Sequence, residues 1–227
     1  MSEDIGNEIA KDNFSGLNCP ISLYHATSTL FLDSIEQYGL GGQNIIKEWN
    51  VLAFVKEIYP YAQKLPDYPK WDFFGDMARQ TTKGFNFQHG DVYCSGSKKY
   101  AFEFLRINPY GSELVSNALF YFKKIIDNKL ISCEKAKSFE EKYSFLEKCR
   151  QKSINPIVFK LPSLSYDDLL DEKGKDVSDS MKTRITKILE ISKEEIFRDA
   201  VDACLGSCRF RLKKIIPYND LNIVNND

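Results

Sequence analysis

Two short segments of this chain place a histidine and a tyrosine at predicted strand–helix junctions. Leu23–Thr27 carries His25, one of only two histidines, and precedes the amphipathic stretch 30–40. Gly90–Ser95 carries Tyr93 and precedes the helix-like stretch 97–107. Junctions of this kind allow a rigid scaffold to aim reactive groups into a cleft. These two segments are therefore the predicted functional site.

The predicted elements around these segments are a few strands spread among several helices. Strands are predicted at 21–25, 90–95, 157–161 and 208–216. Helices are predicted at 30–39, 45–63, 71–78, 97–107, 112–129, 134–151 and, as one or two elements, 181–204. Ser28-Thr29 and Ser112 are the predicted caps, Pro60 is predicted to break the second helix, and 134–151 is predicted to be solvated. The order predicts an α+β fold.

The predicted domain organisation is simple. Residues 1–18 are polar and form a predicted flexible lead-in, and 19–227 form a predicted single domain. The stretch 43–89 separates the two key strands and is predicted to be an insertion of helices and loops. Neither of the usual glycine-rich phosphate loops occurs in the sequence.

Composition restricts the class of protein. The formal net charge is −1, which argues against strong non-specific attraction to nucleic acid. No apolar run approaches the roughly 20 residues that span a bilayer, and the first residues lack signal-peptide features, so a cytoplasmic protein without a membrane partner is expected. The six cysteines form no C-x-x-C pair, so we expect reduced thiols and no metal site.

The two segments together resemble the histidine–tyrosine type of ADP-ribosyltransferase, the superfamily of poly(ADP-ribose) polymerases and RNA 2′-phosphotransferases. The first motif is carried by Tyr24-His25-Ala26-Thr27, Ser34-Ile35 and Gly39-Leu40, and the second by Gly90–Ser95, Lys99, Ala101 and Phe104. The resemblance covers about thirty residues in the family's order. It implies a split sheet core with helical insertions, and NAD as the substrate.

The resemblance also implies roles for individual residues. His25 would bond an NAD ribose hydroxyl, and Ala26 would offer its backbone N–H and C=O to the nicotinamide amide. Tyr93 and Phe104 would stack on the nicotinamide ring from opposite sides. Ala101 stands where many relatives have a serine, and Ser95 or Thr27 would replace that contact. Read without the resemblance, His25, Tyr93 and Phe104 are ordinary packing residues.

The third element of the family, an acid near a late strand, is missing from its usual place. The corresponding position falls near Arg209, and no acid lies between residues 203 and 218. Glu113 is the first candidate to supply the carboxylate, because the dipole at a helix N-terminus keeps a carboxylate ionised. Asp202 and Asp199 are the next candidates. The alternative is a chain that binds NAD or ADP-ribose without transfer.

The remaining predictions concern the acceptor. Arg79 and Lys83 precede the tyrosine strand and are predicted to reach the NAD pyrophosphate or the acceptor, with a solvated loop as the equal alternative. Four cations on the last strand favour a phosphate-bearing acceptor, although an edge strand also uses such charges against aggregation: Arg209, Arg211, Lys213 and Lys214.

The resulting functional hypothesis is a mono-ADP-ribosyltransferase, a pentosyl-transferring enzyme that modifies protein, RNA or DNA. By analogy with compact domains of this fold, it would be a bacterial toxin or defence effector with a neutralising partner such as an antitoxin. The first rival is an inactive NAD or ADP-ribose binder. The others are an RNA 2′-phosphotransferase, which would need more arginines near the early motifs, and a purely structural protein.

Overall fold

A computed structural model describes residues 16–82, 85–86, 89–151, 153–192 and 198–225. In this part of the chain the protein is an α+β structure with ten α-helices and a six-stranded antiparallel open sheet. The sheet strands are β1 Tyr24–Ser28, β4 Tyr93–Ser95, β5 Pro156–Lys160, β6 Leu169–Asp171, β7 Arg209–Leu212 and β8 Asn222–Val224. A separate hairpin pairs β2 Thr81–Thr82 with β3 Phe85–Asn86.

The helices follow the predicted regions with several changes of boundary. They are α1 Leu32–Tyr38, α2 Ile45–Glu48, α3 Val51–Ala62, α4 Phe73–Arg79, α5 Lys98–Ile107, α6 Glu113–Asp127, α7 Cys133–Lys142, α8 Phe145–Gln151, α9 Asp179–Ile191 and α10 Arg198–Gly206. Residues 1–15 of the predicted lead-in, and 193–197 of the predicted 181–204 helices, lie outside the described residues. Among the described helices, none has the length and apolar character needed to cross a bilayer.

Three helix predictions were wrong in detail. The predicted helix 45–63 is two helices, because Asn50 adopts a left-handed conformation (φ 53°) between α2 and α3. Pro60 lies inside α3 rather than breaking it, two residues before the helix ends. The predicted cap Ser28-Thr29 is not one, since α1 begins at Leu32 after Phe31, and Ser28 ends β1 instead.

The strand order in the sheet is β6-β7-β4-β1-β5-β8. Five consecutive residue pairs join β1 to β5, and three join β4 to β7. The pairing between β1 and β4 is a single pair, Tyr24 with Ser95. The sheet therefore consists of two three-stranded groups that meet at one residue pair.

The core forms a helical cluster and a sheet cluster. In the helical cluster Phe54 of α3 is fully buried among the rings of Phe122, Phe139, Tyr143 and Phe145, with centroid distances of 5.2, 5.8, 5.1 and 5.3 Å. The charged region 134–151 was predicted to be solvated, but it supplies three of these rings. The insertion 43–89 thus packs with later helices, because apolar residues of α3 and α4 are buried in one cluster with residues of α6 to α8.

The elements next to the key segments are fixed by caps and by a tight turn. Ser97 and Ser112 accept hydrogen bonds at the starts of α5 and α6, which confirms the prediction for Ser112. Between these helices Gly111 has a φ of 74°, and a Cβ there would lie 2.5 Å from the backbone nitrogen of Ser28. Ser28 Oγ donates to the Tyr110 carbonyl at 2.8 Å. The α5–α6 turn is thus held against the end of β1.

Candidate functional site

The main-chain groups of β1 alternate between its two neighbouring strands. The Leu161 N–H donates to the Leu23 oxygen at 2.9 Å, and the Thr29 N–H donates to the Asn155 oxygen at 2.9 Å. Odd-numbered residues of β1 therefore direct their main-chain groups towards β5. Because successive residues of a strand alternate, the N–H and C=O of Ala26 face β4.

The gap between β1 and β4 opens beside Ala26. If pairing continued from Tyr24–Ser95, Ala26 would lie opposite Tyr93, whose main-chain groups face β1 by the same alternation. Instead, Nδ1 of His25 lies 2.8 Å from the Tyr93 oxygen. The imidazole therefore takes the place of a main-chain partner, and the two strands separate at this point.

A cavity of about 590 Å³ lies at this separation. Eight of the predicted site residues line it: His25, Ala26 and Thr27 from β1, Tyr93 and Ser95 from β4, Ala101 and Phe104 from α5, and Glu113 from α6. The predicted convergence of the two motifs on one cleft is therefore present in the structure. The volume falls within the range of small-molecule and cofactor sites, roughly 300–1,000 Å³.

His25 is held in its neutral form. A carbonyl oxygen can only accept, so Nδ1 carries the hydrogen that bonds to the Tyr93 oxygen, and Nε2 of the neutral ring is an acceptor. Burial lowers the pKa of His25, and the bond to Tyr93 opposes this only in part. At neutral pH His25 can therefore accept a hydrogen bond from a ligand hydroxyl.

The aromatic residues have mixed surroundings. The Tyr93 ring is partly exposed, and the Arg211 guanidinium carbon lies 5.9 Å from its centroid. Phe104 packs beside Ala101, which is buried with Val158 in a small cluster between α5 and the sheet. Phe104 therefore has both a packing role and a place in the cavity wall.

Glu113 is the first residue of α6 and follows the cap Ser112. Burial raises the pKa of its carboxyl, and the nearby charge of Arg209 lowers it less strongly. The direction is opposite to the effect expected from the helix dipole, because the cost of desolvating the carboxylate is larger. A raised pKa makes the Glu113 carboxylate a stronger base than an exposed glutamate, which suits it to accept a proton.

The other candidate acids do not line the cavity. Asp202 accepts a hydrogen bond from Ser97 Oγ at 2.6 Å, which fastens α10 to the start of α5. Asp199 lies in the first turn of α10. Of the three candidates, the structure brings only Glu113 to the His25 and Tyr93 segments.

Arg79 is not brought to the cavity. Its guanidinium pairs with Asp72 at 3.2 Å and with Asp76 at 2.8 Å, within and beside α4. The Asp76–Arg79 spacing of three residues is a helix ion-pair signal in the sequence itself. The predicted contact of Arg79 with the pyrophosphate therefore has no support in this geometry, and Lys83 lies outside the described residues.

The basic strand β7 and its extension carry neutralised charges. Each of the four cations has a carboxylate partner: Arg209 with Glu172 at 3.4 Å, Arg211 with Asp91, Lys213 with Asp176 at 2.5 Å and Lys214 with Asp168 at 2.7 Å. The prediction of a phosphate-bearing acceptor depended on unpaired positive charge, and these four cations are paired. They therefore do not support that prediction.

Sequence reasoning missed several lining residues. Arg209 and Glu172 both line the cavity, and Tyr100 contributes its ring. No sequence motif marks Arg209. However, it lies near the position at which the resemblance implies a catalytic acid, and this could have identified it as a site residue. No signal identifies Glu172, which follows the short strand β6 in a turn.

Comparisons of the chain with family profiles, with curated proteins and with solved structures found no match. Within the described residues, no group of three or more His, Cys, Asp or Glu side chains is placed to hold a metal ion. All six cysteines are free thiols. The cavity and its lining residues are therefore the evidence from which a function is inferred.

Proposed function

We propose that this protein is an NAD-dependent mono-ADP-ribosyltransferase that binds the nicotinamide half of NAD between β1 and β4. The observation that carries the proposal is the hydrogen bond of His25 to Tyr93 across separating strands, within a cavity that also holds Glu113. Two three-stranded groups joined at Tyr24–Ser95 are compatible with the split sheet that the family resemblance implies.

The gap offers a place for the carboxamide of nicotinamide. The N–H and C=O of Ala26 face it, and an amide presents one donor and one acceptor in return. A small side chain at Ala26 lets the ligand approach the backbone. The rings of Tyr93 and Phe104 line the same cavity and supply aromatic faces for the pyridine ring.

The chemical step breaks the bond between nicotinamide and the ribose carbon C1″. Its electron pair leaves with nicotinamide, and positive charge develops on the ribose. His25 Nε2 accepts a hydrogen bond from a ribose hydroxyl and fixes the sugar. The Glu113 carboxylate stabilises the developing charge and takes the proton of the attacking acceptor group. The acceptor oxygen or nitrogen forms the new bond to C1″.

A second candidate function is binding of NAD or ADP-ribose without transfer. The specific observation in its favour is that Arg209, a cation, lines the cavity. Arg209 lies near the position at which the family resemblance implies a catalytic acid. In that case Glu113 would only be a buried residue at the start of α6.

The test measures NAD binding and nicotinamide release separately. Calorimetric titration with NAD would compare the unaltered protein with His25→Ala and Glu113→Gln, and labelled NAD with total cell extract would report release and transfer. Glu36→Gln on the exposed face of α1 is the matched control for the loss of one carboxylate. Protease and nuclease treatment of the product identifies the class of acceptor.

We expect His25→Ala to weaken NAD binding about 10-fold, since it loses a buried hydrogen bond to the ligand. Glu113→Gln should retain binding and lower release by a factor on the order of 100 or more. Binding without release in any form of the protein would support the second candidate. Failure of the unaltered protein to bind NAD would overturn both.

A further inference from the structure

We propose that Arg209 is the residue that binds the diphosphate of the ligand, by exchanging its present partner Glu172 for phosphate oxygens. The inference rests on the proposed function for the identity of the ligand. It assigns to Arg209 the pyrophosphate contact that the sequence had suggested for Arg79. The recognised group is a diphosphate ester, whichever nucleotide carries it.

Arg209 differs in charge from the other residues of the cavity wall. Among the described lining residues it is the one lysine or arginine, and His25 and His89 are held neutral by burial. Four carboxylates line the same cavity: Asp91, Glu103, Glu113 and Glu172. Asp91 is paired with Arg211, and Glu172 with Arg209. An anionic part of a ligand inside this cavity therefore has one strong electrostatic partner, the Arg209 guanidinium.

The present partner of Arg209 holds it weakly. Nη1 of Arg209 lies 3.4 Å from Glu172 Oε1, and about half of the Arg209 side chain (48%) is exposed. A guanidinium has five donors, and its planar fork matches two phosphate oxygens at once. Exposed ion pairs contribute little to stability, so releasing Glu172 to make room for a diphosphate costs little.

Arg209 is nevertheless positioned by its surroundings. Its guanidinium carbon lies 5.7 Å from the centroid of the Tyr100 ring, and Tyr100 lines the same cavity. The ring itself packs on Gly206, where a Cβ would lie 2.3 Å from Tyr100 Cδ2. The end of α10 therefore restricts the position of the Tyr100 ring, and this ring contacts the Arg209 guanidinium.

The test uses two variants for which a ligand role and a structural role predict different results. Equilibrium titrations would use NAD, inorganic pyrophosphate and nicotinamide riboside, which lacks phosphate. The proteins are the unaltered chain, Arg209→Gln, Glu172→Gln and the control Arg106→Gln, an exposed arginine of α5 outside the cavity wall. Thermal unfolding of each variant checks that it is folded.

We expect Arg209→Gln to weaken NAD and pyrophosphate binding at least about 10-fold and to leave nicotinamide riboside binding unchanged. Glu172→Gln should strengthen pyrophosphate binding a few-fold, because it removes the competing carboxylate. If the pair were only structural, both variants would weaken binding together or have no effect, and the inference would be overturned.

The outcomes separate this inference from the proposed function. NAD binding that is unaffected by Arg209→Gln retains the proposed function and rejects the diphosphate role. Arg209-dependent binding of pyrophosphate without any binding of NAD retains the anion site and rejects the proposed function.

Discussion

At the scale of single residues, the protonation of Glu113 decides what the cavity can do. Burial raises the pKa of this carboxyl, and Arg209 acts in the opposite direction. Chemistry that needs the carboxylate is lost as the pH falls through the pKa, so a raised pKa moves this loss to a higher pH. Arg209 therefore extends the range of pH in which the carboxylate is present.

We expect the Arg209→Gln variant to lose nicotinamide release at a higher pH than the unaltered protein, because the cation that favours the carboxylate is gone. The measurement is kcat/KM against pH for both proteins. Arg106→Gln should reproduce the unaltered profile. A profile for Arg209→Gln that is unchanged in shape, or shifted towards acid, would contradict the coupling of the two residues.

The residue scale is also where sequence reasoning was most incomplete. Glu113 could be placed from sequence because it follows the predicted cap Ser112. For His25 and Tyr93 only the neighbourhood of a strand could be predicted, and the bounds were wrong. The strands are Tyr24–Ser28 and Tyr93–Ser95 rather than 21–25 and 90–95, so both residues lie at the start of a strand. The partners of Arg79 and Arg209 could not all be predicted, since contacts such as Arg209–Glu172 join residues 37 positions apart in sequence. The family resemblance suggested where to look and did not supply these partners.

At the scale of elements, the α5–α6 turn determines where Glu113 lies relative to β1. Gly111 allows this close approach through its positive φ and its missing Cβ. The predicted cap at Ser112 belongs to a local pattern of a few residues, so it could be found from sequence. The edge strands β6 and β8 have three residues each, too few for an alternating pattern to be recognised.

We expect Gly111→Ala to lower the free energy of unfolding by at least about 2 kcal/mol, from backbone strain at positive φ and from collision with the backbone of Ser28. Gly16→Ala is a matched control, since Gly16 has nearly the same φ (75°) and, its chain neighbours aside, no atom of the described residues lies within 4 Å of the added Cβ. It should cost only about 1 kcal/mol. Urea unfolding measures both values.

Equal losses for the two glycine variants would contradict the close approach at Gly111. A stable Gly111→Ala protein with unchanged nicotinamide release would further show that the turn does not position Glu113.

At the scale of the whole molecule, folding holds both histidines neutral. Burial lowers the pKa of His89 to about 4 and also lowers that of His25. Below an unfolded value of about 6.5, the unfolded chain takes up protons that the folded protein does not. Stability from this source is therefore complete above pH 6.5 and declines as the pH falls towards 4. The raised pKa of Glu113 acts with the opposite sign and offsets part of the decline.

We expect the unaltered protein to lose up to about 3 kcal/mol between pH 7 and pH 4 on account of His89 alone. In His89→Gln this contribution is absent, so the variant should show a smaller decline. Urea unfolding at pH 7.0 and 4.0 gives the decline for each protein. Parallel declines in the two proteins would show that His89 is not protected from protonation by the fold.

The fold class could be predicted from sequence more readily than the strand order and the packing of the helices. A mixture of helices and a few strands was enough to predict α+β, and the sheet order was not predictable from local signals. The helices at 133–151 carry many charges and looked solvated, yet Phe139, Tyr143 and Phe145 complete the aromatic core around Phe54. A locally charged sequence therefore did not show that these aromatic side chains are buried against residues distant in the chain.

The single rung between Tyr24 and Ser95 has a mechanical consequence for the protein. Hydrogen bonds are the rigid links across a sheet, and here one half of the sheet is tied to the other by one main-chain rung and the His25 imidazole. Under the proposed function, the carboxamide of nicotinamide bound at Ala26 would add main-chain hydrogen bonds between the two halves of the sheet. Release of nicotinamide would remove these bonds, so the stiffness of the sheet would follow the occupancy of the cavity.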